Sequence, residues 1–255
     1  FFFFLAFKMA KIFCADDWGF SPGINAGILE LAKRGWLKSV SCVANAPFLS
    51  DSLDMLLRFA DDGLEFALHF NLTDGNSLSG VNSLTDASGK FLSHKRLLLK
   101  AALGVLNAQE IGNEFEIQLA KLQAFNIPVT RLDGHHHVHL LPPVFRALEG
   151  LFCARGILLV RRMVDAEHQW SLAQTQLCKW NFPEQGQAWK FENSYYLLSK
   201  NLKTRDGFFG KLAKTSGAPL IVHPALYNDF AVSGMRDPLQ QHRVTELLAI
   251  IEYLQ

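Results

Sequence analysis

Apolar runs and polar breaks follow one another along this chain in a strand, loop, helix rhythm. Residues 11–15 (KIFCA) form a short apolar run stopped by Asp16-Asp17, the pattern of a buried parallel strand that ends in a polar loop. Ser21-Pro22 then offers an N-cap and a first-turn proline. The stretch INAGILELAKRG places Ile24, Ile28 and Leu31 at helical spacing and stops at Gly35. The unit recurs. Residues 39–44 (SVSCVA) read as a second strand, 47–61 as a helix with Leu53, Leu56, Leu57 and Ala60 inward, and 64–70 (LEFALHF) as a third strand. A Gly-, Ser- and Asn-rich loop over 71–90 follows, long enough to point to function rather than idle connection. Helices are predicted over 92–105 and 109–126, a fourth strand over 129–133, a helix over 143–155 and a fifth strand over 157–161. Residues 163–200 show no clear period. Helix 208–215, strand 219–222 (PLIV) and a closing helix over 238–254 complete the pattern.

Strands and helices that alternate through crossovers require a parallel sheet. The expected fold is therefore α/β, one barrel-like (β/α) domain over residues 9–255. The polar clusters fall just after strands: Asp16 and Asp17 after the first, His69 at the third, DGHHHVH (133–139) after the fourth and His223 after PLIV. In parallel α/β folds the strands' C-terminal ends share one mouth, so clusters far apart in sequence are expected to meet there.

Composition narrows the partners. Of 255 residues 49% are hydrophobic and 19% charged, which excludes a disordered chain, and the net charge is +1 with no basic run. A small molecule is expected rather than nucleic acid or a membrane surface. Cys14, Cys42, Cys153 and Cys178 form no C-x-x-C pair and read as reduced, mostly buried thiols of a cytoplasmic protein. The opening FFFFLAFK has no basic n-region or small-residue cleavage site and is too short to span a bilayer. Residues 1–8 are expected to be an upstream or non-native extension ahead of Met9.

Four groups carry candidate chemistry. Asp16 and Asp17, adjacent carboxylates at a strand end, can divide labour between a cation and a proton. His69 stands at a strand mouth. In DGHHHVH, an extended backbone would put Asp133, His135, His137 and His139 on one face and Gly134, His136 and Val138 on the other. Clustered imidazoles suit a divalent metal, with a nearby carboxylate fixing a tautomer. His223, near Asn228 and Asp229, is a candidate proton donor. Arg161 either binds an anion or braces a carboxylate.

These blocks resemble the YdjC-like carbohydrate deacetylases. The likeness lies in CADDWGFSPGINAGI (14–28), ALHFNLTDG (67–75), RLDGHHHVHLLP (131–142) and VHPALYND (222–229), in that order, with a weaker echo at 243–246. It implies a distorted TIM-type barrel related to polysaccharide deacetylases. It also implies a divalent ion on Asp17, His69 and His135, with Asp16 as general base and either His223 or His139 as general acid. Mg2+ is the ion the family implies, and Zn2+, Co2+ or Mn2+ also suits the donor set. The implied reaction removes N-acetyl groups from amino sugars such as short chitooligosaccharides, with Trp18 and Arg161 as candidate substrate contacts. A homodimer is one assembly open to the chain, and the sequence does not fix the oligomeric state. Trp18 stands where phenylalanine is usual, and HPA replaces the more frequent HPG. Relatives usually continue past the last helix, so a final strand is expected beyond Gln255. Two other readings remain: a metal-dependent phosphoesterase or amidohydrolase, whose histidine pair usually lies on the first strand, and a non-catalytic metal- or sugar-binding protein.

Overall fold

The computed structural model describes residues 11–163, 189–197, 203–215, 218–227, 229 and 240–254. Residues 1–8, Cys178, Asn228, Gln255 and most of 163–200 lie outside these. Seven strands form a closed barrel in chain order: β1 (Phe13–Trp18), β2 (Leu37–Cys42), β3 (Glu65–Phe70), β4 (Val129–Gly134), β5 (Leu159–Met163), β6 (Lys190–Tyr196) and β7 (Leu220–Val222). Each pairs in parallel with the next, and β7 pairs with β1. The described strands thus close the sheet.

Helices α1 (Pro22–Lys33), α2 (Leu53–Leu57), α3 (His94–Ala102), α4 (Ala108–Ala124), α5 (Pro142–Phe152), α6 (Arg205–Lys214) and α7 (Gln240–Leu254) lie between or after the strands. α1 begins as its sequence dictates, with the Ser21 hydroxyl accepting from Ile24 N–H and Pro22 in the first turn. Such a cap is worth about 1 kcal/mol. Outside the barrel, Phe115 of α4 packs edge-on against Phe70 and Phe152, and Phe145 and Phe152 of α5 meet Trp189. Each fully buried phenylalanine contributes about 1.5–3 kcal/mol.

Several expectations are corrected. Strand β1 does not stop at the aspartates but runs through both to Trp18. Its register against β2 slips between Ala15 and Trp18, where Asp17 takes φ +73°. This bulge turns two successive carboxylates into the buried mouth, where an even pleat would send one of them outward. The helix expected over 47–61 shrinks to α2, preceded by a left-handed Ser52 (φ 57°) and flanked by turns. Strand β6 had no counterpart in the sequence reading. Its residues KFENSYY are half-polar and lack β-branched side chains, and its place is set by five register pairs with β5.

The stretch after β4 is not extended. Residues His135–Leu140 form a tight 3-10 segment in which His136 (φ 51°) and His137 (φ 54°) are left-handed. The histidines therefore fan out instead of sharing one face. Gly134 is needed for this turn: a Cβ there would lie 2.7 Å from His139 Nδ1 and 3.2 Å from Phe70 O.

The loop over 71–90 is tied down along its length. The fully buried Glu114 carboxylate of α4 accepts from the Ser77 and Ser79 hydroxyls and from Leu78 and Ser79 N–H. One turn earlier, Glu110 accepts from Ser83 N–H and its hydroxyl.

Candidate active site

The mouth at the C-terminal ends of the strands brings together residues from five of them. Asp16 and Asp17 come from β1, Ser41 from β2, His69 from β3, Asp133 from β4 and Arg161 from β5. All six are nearly or fully removed from solvent. His135, His223 and the α7 residues Arg243 and Glu246 join them.

Two groups can be distinguished. One is an ion network around Arg161. Its two Nη groups donate to Asp16 Oδ2 and Oδ1 at 2.6 and 2.8 Å, and Nη2 also lies 2.8 Å from Asp133 Oδ2. The Ser41 hydroxyl donates to the same Asp133 oxygen at 2.5 Å. Two buried carboxylates are thus satisfied by one planar fork, which a lysine could not imitate. Burial works against ionising Asp133, yet Arg161 and His69 outweigh it and hold its carboxyl well below the usual range. Burial likewise opposes the Arg161 charge, and Asp133 and Asp16 override it and raise its pKa.

Beside this network stands a cluster of one carboxylate and two imidazoles. Asp17 Oδ1 is 3.3 Å from His69 Nε2 and 3.3 Å from His135 Nδ1. That oxygen is buried and has no hydrogen-bond partner among the described residues. Asp17 Oδ2 accepts from Arg243 Nη2 at 2.5 Å, so the two oxygens face different partners. His69 Nδ1 lies 2.6 Å from Asp133 Oδ1, which turns Nε2 toward Asp17. An imidazole oriented by a carboxylate on its far nitrogen is the usual support of a metal-binding histidine. Donor atoms of Asp17, His69 and His135 all lie within 4.8 Å of one another. This orphaned oxygen with two aimed nitrogens fits a divalent ion, a two-imidazole, one-carboxylate set with positions left for water and substrate.

The electrostatics agree. Burial alone would lower the His69 pKa, but Asp133, Asp16 and Asp17 around it push it up to about 10. For Asp17, burial raises the pKa, and Arg243, His135 and His69 together bring it well below the usual value. The pocket is therefore built for positive charge.

The other histidines part company. His136 is packed 4.0 Å from the His135 ring and stacks on His94 at 4.8 Å, with Thr73 Oγ1 2.9 Å from its Nδ1. It does not face away, as an extended strand would have required. Burial, with help from His135 and His94, lowers its pKa to about 2. His137 Nε2 contacts the Tyr196 hydroxyl. His139 is 1% exposed, with Nε2 on Arg161 O at 3.0 Å, and burial draws its pKa down to about 4. His223 keeps a partly open side chain, with Nε2 3.9 Å from Asp16 Oδ2. Its backbone N–H donates to Glu246 Oε1 at 3.1 Å. Burial pushes Glu246 up to about 8.

Packing places both expected substrate contacts inside the fold. Trp18 is fully buried, with its indole N–H on Leu49 O at 2.9 Å, and offers no face to a sugar. Arg161 is spent on Asp16 and Asp133, so it braces carboxylates. Arg243 and Glu246 were legible only as a faint echo. The signal was available, however: both stand with Leu247 and Ile250 on the buried stripe of α7, where charged residues are rarely placed without partners.

A parallel (β/α) barrel with carboxylates and imidazoles gathered at its strand ends defines the class: an α/β barrel with a donor set that suits a divalent ion. The chain belongs to the YdjC-like protein family, whose model matches residues 12–252. Curated relatives named chitooligosaccharide deacetylase, from Yersinia pestis (strain Pestoides F) and Yersinia pseudotuberculosis serotype O:1b (strain IP 31758), are 35% identical over 132 residues. The match covers 51% of this chain and 51% of each relative, so it spans about half the length of either protein. The fold is also that of a proposed cellobiose-phosphate cleavage protein from Enterococcus faecalis V583, with a TM-score of 0.71 and 18% identity over 95% of this chain and 94% of that one. Among the described residues no helix is long and apolar enough to cross a membrane.

Proposed function

We propose that this chain is a metal-dependent deacetylase that hydrolyses the N-acetyl group of amino sugars of the short chitooligosaccharide type. The observation that carries the reading is the buried Asp17 Oδ1, which has no hydrogen-bond partner among the described residues yet lies 3.3 Å from a nitrogen of each of two imidazoles, beside the arginine-locked Asp16. The name of the Yersinia relatives supports the substrate class.

Asp17, His69 and His135 would hold the ion, which when bound polarises the acetamide carbonyl and makes water easier to deprotonate. Two imidazoles and one carboxylate accept Zn2+, Co2+ or Mn2+ as well as Mg2+. Asp16, fixed in direction by Arg161, takes the proton of the attacking water. Water oxygen bonds to the acetyl carbon, the C–N bond breaks, and His223 delivers a proton to the departing amine. Acetate and free amine leave. His223 suits the donor role better than His139, because its side chain reaches the open mouth beside Asp16 while His139 is sealed behind Gly134.

The test is acetate release from a panel of N-acetylated mono- and disaccharides, with chelator and with each metal restored, beside a sugar-phosphate arm. Chelator-sensitive acetate release supports the reading. Phosphate release alone would favour a phosphoesterase, and binding without either product a non-catalytic protein.

A further inference from the structure

We propose that Asp74 is a positioning residue for His135, holding its imidazole with Nδ1 turned into the Asp17 pocket; this rests on the divalent-ion reading above. Asp74 lies in the loop after β3 and is 3% exposed. Its Oδ2 is 3.5 Å from His135 Nε2, about 0.5 Å beyond an ordinary N–H···O length. That nitrogen is buried and has no hydrogen-bond partner among the described residues, while Nδ1 of the same ring faces Asp17 Oδ1 at 3.3 Å.

The arrangement mirrors His69 with its nitrogens exchanged. There Nδ1 is hydrogen-bonded to Asp133 and Nε2 faces Asp17; here Nε2 faces Asp74 at 3.5 Å and Nδ1 faces Asp17. A neutral imidazole has one N–H and one lone pair. A carboxylate on one side attracts the N–H and leaves the lone pair on the other, and its charge raises the basicity of the donor nitrogen.

Asp74 is placed by a relay of amides. Gln118 of α4 grips both backbone groups of Asn71, through Oε1 on Asn71 N–H and Nε2 on Asn71 O. Asn71 Oδ1 accepts from Asp74 N–H, and Asn71 and Asn45 both donate to Asp74 O. The loop is thereby fixed with its acid facing the ring. A competing arrangement exists, because Asp74, His135 and His136 could themselves surround an ion.

The experiment titrates Co2+ alone into the full chain and into Asp74→Ala and Asp74→Asn, followed by visible absorption, with 15N NMR of the histidine rings in the Zn2+-loaded protein. Asp74→Ala should weaken affinity about 10–100-fold at unchanged stoichiometry. It should also abolish a hydrogen-bonded His135 Nε2–H signal seen in the parent chain. Asp74→Asn keeps the shape should alanine unfold the loop, and weakens binding about tenfold by loss of charge. Affinity within twofold of the parent and an unchanged ring signal in both variants would overturn the proposal alone. Two ions falling to one in the variants would make Asp74 a ligand and also overturn it. A parent chain that takes up no Co2+ would sink the divalent-ion reading itself, and this proposal with it.

Discussion

Arg161 holds Asp16 through two parallel hydrogen bonds, 2.6 and 2.8 Å long, with both side chains almost wholly buried. The same guanidinium reaches Asp133, which in turn orients His69. One arginine therefore ties the proposed base to the support of the proposed metal site.

Replacing that fork should separate chemistry from folding. Arg161→Lys keeps the charge but cannot meet both carboxylates in one plane. Acetate release should fall by about 10–100-fold with a modest drop in Tm, whereas Arg161→Ala, which takes the arginine from buried Asp16 and leaves Asp133 only His69 and Ser41, should cost about 3–5 kcal/mol in chemical denaturation.

Asp16 and His135 should fail in different ways. Asp16→Asn should lower acetate release by about 10²–10⁴-fold while metal content by elemental analysis stays at the parent level. His135→Ala should instead lose metal. Near-parental turnover in the first, or parental metal content in the second, would remove the corresponding assignment.

Glu246 makes stability depend on pH. Its carboxyl titrates near 4.5 in an unfolded chain and near 8 in the fold, where burial keeps it neutral. Between these values the unfolded state binds fewer protons, so the Glu246 contribution to stability should be full below pH 4.5 and decline as pH rises toward 8. Glu246→Gln retains an acceptor for His223 N–H and removes the titration. The difference in Tm between variant and parent should therefore grow in the variant's favour from pH 5 to 8.

His69 adds to the decline in metal-free protein. Its pKa rises from 6.5 to about 10, so its contribution is full below pH 6.5 and lost as pH climbs through 10. Thermal melts in chelator should show a falling Tm over that window, with a smaller fall in His69→Gln.

Gly134→Ala should be costly despite adding one methyl. The new Cβ meets His139 Nδ1 at 2.7 Å and Phe70 O at 3.2 Å, and neither lies on a flexible surface. A loss of about 1–3 kcal/mol is expected from overpacking, read as a lower denaturation midpoint.

Much of the barrel was legible because a strand buried on both faces is a continuous apolar run, and KIFCA, LEFALHF and PLIV are such runs. β6 was hidden because its partners lie on β5 and β7, so its polar sequence becomes a strand only by pairing. The helix over 47–61 failed for the opposite reason. Its leucine spacing is helical, but the Trp18 indole N–H holds Leu49 O and the backbone turns left-handed at Ser52, so the helix starts only at Leu53.

By itself the sequence determined which residue types would gather, since local pattern sets the strands and the parallel crossovers send their polar ends to one mouth. It could not decide the direction of a side chain in a bulge or a left-handed turn. Asp16 and Asp17 both point inward only because β1 slips its register against β2, and the four histidines separate only because His136 and His137 turn the backbone. Partners distant in sequence decided the remainder: Arg161 lies 145 residues from Asp16, and Arg243 lies 226 from Asp17. Such pairings are set when the barrel closes, because burying either charge without the other would cost more than the fold can offset.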